Sequence, residues 1–219
     1  MQLFRYDSPI SQLLVKFVNI IFLTILWYAF CIPLVTIGAS TGAFYHTIEK
    51  NIKNDRGYVF SDFFTSFKGN LRQSIPLTIL FIAAEAMFYF DFIIMRYLKD
   101  GGNPAGNAYV LFLVLMVLIL VYAIWVFISI SAFENTTANI AKNSLFLMIR
   151  HFGTTLYILF MIGFSALVIY IVPVTFAVMP AVAAWLISFP VQKVWGKYKQ
   201  AEAPSGSETD EENGDGTSR

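Results

Sequence analysis

Charge is scarce in this chain. Only 13% of its 219 residues are Asp, Glu, Lys or Arg, about half of the roughly one quarter that a soluble domain carries. A net charge of +1 gives no basic field that would draw it to nucleic acid. Cysteine is limited to Cys31, which excludes an internal disulfide and a thiolate zinc site. Histidine is limited to His46 and His151, and only Glu49 stands near either at ligand spacing. One histidine and one carboxylate do not hold a metal, so no cofactor is expected. Walker-type glycine loops and the G-x-S-x-G elbow are missing as well. The expectation is a protein that is not an enzyme.

Apolar residues are abundant: 57% of the chain is hydrophobic and 17% aromatic, with mean hydropathy +0.64. They gather into runs near residues 17–37, 75–95, 108–133, 154–172 and 174–192. About 20 apolar residues in a helix rising about 1.5 Å each cross the bilayer hydrocarbon. The expected fold is all-α: a polytopic membrane domain over 17–192, a bundle of about five transmembrane helices, with the lipid bilayer as principal partner. The first run starts at Phe17 behind Asp7 and Pro9, a long and weakly basic leader, so a retained helix is expected rather than a cleaved signal.

Basic residues mark the cytoplasmic side. With five crossings, ten of them fall on one side: Lys50, Lys53, Arg56, Lys68, Arg72, Lys142, Arg150, Lys193, Lys197 and Lys199. Four fall on the other: Arg5, Lys16, Arg96 and Lys99. This places the N-terminus outside and the C-terminus in the cytoplasm of a cell (cytoplasmic) membrane.

Residues 1–16 form an amphipathic lead-in. Pro33 bends the end of the first crossing, and Ser40 or Thr41 caps a new helix to about Asn54. An amphipathic cytoplasmic loop occupies 41–74. Within it, Phe60, Phe63, Phe64, Phe67 and Leu71 share one helical face, with Lys68, Asn70 and Arg72 among the polar positions. This predicts an interfacial helix, either a resting linker or a docking surface for a cytosolic partner. Residues 135–153 form a polar connector. Residues 193–219 comprise a basic flank and an acidic tail too poor in apolar residues to fold.

Glu85 stands out at the middle of the second crossing, where an ionised carboxylate costs at least a few kcal/mol. It serves either a substrate or ion pathway or as interhelical glue, with Tyr122, Tyr170 and Ser165 as candidate donors. Asp91 is a second pathway candidate nearer the boundary, within reach of Arg96 and Lys99. The stretch Thr36 to Gly42 offers either helix-start amides for an anion or small residues for close packing.

The motif Pro33-Leu34-Val35-Thr36-Ile37-Gly38-Ala39-Ser40-Thr41-Gly42-Ala43-Phe44-Tyr45, followed by Asp55-Arg56-Gly57-Tyr58 and Phe63-Phe64-Thr65-Ser66-Phe67-Lys68-Gly69-Asn70, resembles the signature of the YesL-like family of bacterial multi-pass membrane proteins. Pro33, Thr36, Gly38, Ala39, Ser40, Thr41 and Tyr45 carry that likeness. The resemblance is specific over 17–76 and looser to about 192. It implies a small integral membrane protein acting as an accessory or regulatory partner of carbohydrate ABC transporter subunits, and it carries over no established catalytic residues. The alternative is a small permease with Glu85 in its pathway.

Overall fold

The computed structural model describes residues 9–53, 58–133 and 135–202, with side chains placed for 14–51, 58–133 and 135–196. Most of the expected turn at Asp55–Tyr58 and the acidic tail beyond Glu202 lie outside those residues. So does the first half of the lead-in, whose second half is the start of a helix. All regular structure among the described residues is helical. Seven α-helices run in order: α1 (Pro9–Cys31), α2 (Ile37–Thr47), α3 (Val59–Asp100), α4 (Tyr109–Ile130), α5 (Thr137–Arg150), α6 (Phe152–Ile171) and α7 (Met179–Glu202). Short 3-10 turns lead into α2, α4 and α7, and a π-helical turn, Ile48–Lys53, extends α2.

Four helical segments are long and apolar enough to cross a membrane: Leu14–Cys31, Val59–Asp100, Pro104–Ile130 and Phe152–Ile171. The fifth expected crossing, 174–192, falls on the turn Pro173–Ala177 and the first half of α7. Apolar character ends there, before Lys193, so α7 does not join the four by length and composition.

Two boundaries differ from expectation. Pro33 does not bend α1 but ends it, in extended conformation (φ −74°, ψ 112°). The single proton of the Thr36 hydroxyl is then shared between the Phe30 carbonyl, which the stopped helix leaves open, and the Pro33 carbonyl, both at 2.7 Å. The next helix starts at Ile37 rather than behind a Ser40 or Thr41 cap, and both residues lie within it.

The second difference is larger. The interfacial helix and the second crossing are one helix of 42 residues, with Pro76 inside it. At about 1.5 Å per residue this is about 63 Å, twice the hydrocarbon thickness of about 30 Å. Pro76 has no N–H to give the Arg72 carbonyl. The helix continues because Ser74, Leu77 and Thr78, on either side of the proline, are buried.

The path of the chain follows from its contacts. α2 runs back along α1: the Ser40 hydroxyl donates to the Trp27 carbonyl at 3.1 Å, Trp27 and Phe44 rings lie 5.1 Å apart, and Leu23 shares a core with Ile48. α2 is also antiparallel to α3, with Gly38 against Thr78 at one end and Asn51 bonded to Asp62 at the other. α3 and α4 form a hairpin, pairing Phe81 with Phe127 and Phe92 with Tyr109. α7 starts beside α1, where Tyr28 stacks on Phe176 at 4.1 Å, and ends beside Tyr45 and Phe133, which both meet Trp195. The N-terminal part of α1 and the C-terminal part of α7 therefore lie toward the same end of the bundle. α2 is a buried return segment between α1 and α3.

Candidate functional site: an apolar chamber around Glu85

α2 supplies one wall through its lack of side chains. A Cβ on Gly38 would collide with the Phe127 ring and Thr78 Oγ1, and one on Gly42 would lie 2.8 Å from the Phe127 carbonyl oxygen. Glycine at these positions permits α2 to lie directly on α3 and α4. Ala39, Ser40, Ala43 and Tyr45 are buried with them. This burial supports the packing reading of the Thr36–Gly42 stretch over an exposed anion site.

Beside this seam opens a cavity of about 500 Å³. Ile37 and Thr41 face it from α2, Thr78, Phe81, Glu85 and Tyr89 from α3, and residues between Met116 and Phe127 from α4. Its wall is almost wholly apolar, and Glu85 is the carboxylate in it. One Glu85 oxygen, Oε1, is shut off from solvent and has no hydrogen-bond partner.

The expected donors are elsewhere. The Tyr122 hydroxyl donates to the Ala141 carbonyl at 2.9 Å, Tyr170 is 86% exposed, and Ser165 is buried on α6 away from the chamber lining. The chamber's threonine hydroxyls make other bonds, Thr78 as a donor and Thr41 as an acceptor. Thr78 donates to the Ser74 carbonyl at 2.8 Å, and Thr41 accepts from Trp27 Nε1 at 3.4 Å. Asp91 does not line the chamber, because six residues turn about 240° around a helix. Glu85 and the helix-break motif are brought together; Asp91 is not.

The phenylalanine stripe is divided. Phe63 and Phe67 are buried in a core with Leu23, Ala43, Phe44 and Ile48, and the Phe30 ring approaches both, at 5.6 and 4.7 Å. Phe60 stays 55% exposed and stacks on half-buried Phe64 at 5.8 Å, and Lys68 Nζ lies 4.5 Å above the Phe64 ring. Phe60, Phe64, Lys68 and Arg72, four residues apart, make the outward ridge of α3. Asn70 turns from it to donate to Ser66 Oγ at 3.2 Å.

A second cavity, about 300 Å³, escaped the sequence reading. His46, Lys50, Asp62, Ser66, Asn70 and Ser131 are among its lining. Lys50 and Asn51 both bond the Asp62 carboxylate, the latter at 3.1 Å. Burial pulls the His46 imidazole below its usual range, with Glu49 partly opposing. The four-residue spacing of Asp62, Ser66 and Asn70 was the available signal.

Residues 20–92 match the model of a family described as a protein of unknown function, DUF624. The match covers about a third of the chain, including α2, the glycine seam and Glu85. It overlaps the region on which the likeness to the YesL-like family rests. No curated protein and no solved structure matches.

Proposed function

We propose that this chain is a non-enzymatic multi-pass membrane protein that binds a small ligand in the chamber around Glu85. The observation that carries this reading is Glu85 in the lining of an apolar cavity, with one of its oxygens buried and without a hydrogen-bond partner. A buried polar group without a partner costs roughly 1–3 kcal/mol. A ligand with an apolar body and one cationic or hydroxyl donor would remove that cost. A free sugar fits poorly: each of its unpaired hydroxyls would cost roughly 1–3 kcal/mol in such a wall. The permease reading therefore points to an amphiphile rather than a carbohydrate.

The test compares the glue reading with the ligand reading. Glu85→Leu in nanodiscs is expected to raise thermal stability, by up to roughly 1–3 kcal/mol, while weakening binding of an aryl-alkylamine probe more than tenfold. A carboxyl that holds helices together would instead lose stability on substitution, and that result would remove the ligand reading.

A second reading rests on the α3 ridge. Phe60, Phe64, Lys68 and Arg72 offer a cytoplasmic surface to a membrane partner, and the YesL-like resemblance makes a carbohydrate ABC uptake system the candidate. Co-purification with an ABC permease from native membranes would support it. Sugar uptake that is unchanged on deletion, for every sugar tried, would count heavily against it.

For orientation we take both termini to be cytoplasmic, with α1, α3, α4, α6 and α7 crossing and α2 returning between the first two. Twelve basic residues then fall on the cytoplasmic side and only Arg96 and Lys99 opposite, Arg219 apart. Tags at either terminus should be shielded from an impermeant reagent in intact cells. Labelling of the N-terminal tag from outside would overturn this arrangement.

A further inference from the structure

The two cavities lie on the same three helices. α2 lines the chamber with Ile37 and Thr41 and the polar cavity with His46; α4 lines them with Phe127 and with Ile130. α3 lines the polar cavity with Asp62, Ser66 and Asn70, and the chamber with Thr78, Glu85 and Tyr89. Between those two sets stands Ser74, fully buried, its hydroxyl without a hydrogen-bond partner.

These residues form one ribbon. Asp62, Ser66, Asn70, Ser74 and Thr78 recur every fourth residue, and Glu85 follows seven later, almost in line with Thr78. A four-residue step advances about 40° around a helix, so the ribbon winds as α2 crosses α3. At its midpoint Pro76 leaves the Arg72 carbonyl without a helical donor. The Thr78 hydroxyl donates to the Ser74 carbonyl, but the Ser74 hydroxyl is buried without a partner, which costs free energy unless something hydrogen-bonds it.

We infer that the α3 ribbon is a proton path by which Glu85 exchanges its proton with the cytoplasmic side through the polar cavity. This rests on the reading of Glu85 as a working group. A proton enters from water at the His46, Lys50 and Asp62 cavity. It passes along the Ser66, Ser74 and Thr78 hydroxyls, which both donate and accept, with water entering as the helices part, since Ser74 is sealed in the resting seam. It converts the Glu85 carboxylate to the acid. In the chamber, Tyr89 is the other titratable side chain; α2 and α4 contribute none.

The full-length protein in oriented bilayers, followed by infrared spectroscopy after a pH jump on the cytoplasmic face, tests the path. The protonated carboxyl band that vanishes in Glu85→Gln reports the group. Ser74→Ala should slow its appearance at least tenfold and leave its final amplitude unchanged. Ser144→Ala, which removes another buried and partnerless hydroxyl on α5, should leave the rate alone. An unchanged rate in Ser74→Ala, or equal slowing in Ser144→Ala, overturns the path while Glu85 still titrates. Absence of any band dependent on Glu85 overturns the working-group reading itself.

Discussion

Phe63→Ala is expected to destabilise the detergent-solubilised protein severely, and Phe60→Ala hardly at all. The two residues sit three apart on α3 and look equivalent in the sequence. Phe63 is fully buried, stacked on Phe67 at 6.0 Å and tilted against Phe30 at 5.6 Å. Removing a buried phenylalanine costs about 3–5 kcal/mol, a transfer part plus a cavity part. Next to lipid the transfer part shrinks, because acyl chains are as apolar as the core. The expected loss is therefore toward the lower end, about 3 kcal/mol. Phe60 is 55% exposed, and truncating it should shift stability by less than about 0.5 kcal/mol. Thermal unfolding of the two variants decides between a divided stripe and a uniformly lipid-facing one; equal shifts would mean that the whole face rests in the membrane.

What could be read from the sequence was what depends on local length and polarity. Crossing helices need only a run of apolar residues, so α4 and α6 emerged within a few residues of their ends, whereas α1 both starts and ends several residues before the 17–37 run does. Glu85 stood out because a carboxylate at that depth is costly wherever its neighbours are. α2 was legible as a helix, but its burial was not, for the opposite reason. Its Gly38, Ala39, Ser40, Thr41, Gly42 and Ala43 are small and weakly apolar, the composition of a linker. Their burial depends on contacts with α1, α3 and α4 that no short window contains. The continuity of α3 was hidden by Pro76 and by Ser66, Asn70, Arg72 and Ser74, which read as a boundary between a surface helix and a crossing. Partners for Glu85 could not be chosen by depth alone: Tyr122 shares it but turns to α5.

Gly42→Ala and Gly38→Ala should both open the seam between α2 and α4, with different rescues. Overpacking a tight contact costs typically about 1–3 kcal/mol. At Gly38 the new methyl would meet the Phe127 ring and Thr78 Oγ1, which are side-chain atoms. Phe127→Leu withdraws the ring edge but leaves Thr78 Oγ1, which is equally close, so Gly38→Ala with Phe127→Leu should regain part of the lost stability. At Gly42 the methyl would sit 2.8 Å from the Phe127 carbonyl oxygen, a backbone atom that no substitution at Phe127 removes. Gly42→Ala should therefore stay destabilised in the Phe127→Leu background. Double-mutant cycles on thermal stability measure this: a coupling of about 1 kcal/mol or more is expected for the first pair and near zero for the second. Equal coupling in both cycles would mean that α2 does not lie on the α4 backbone. The chamber around Glu85 would then lose the wall that closes it.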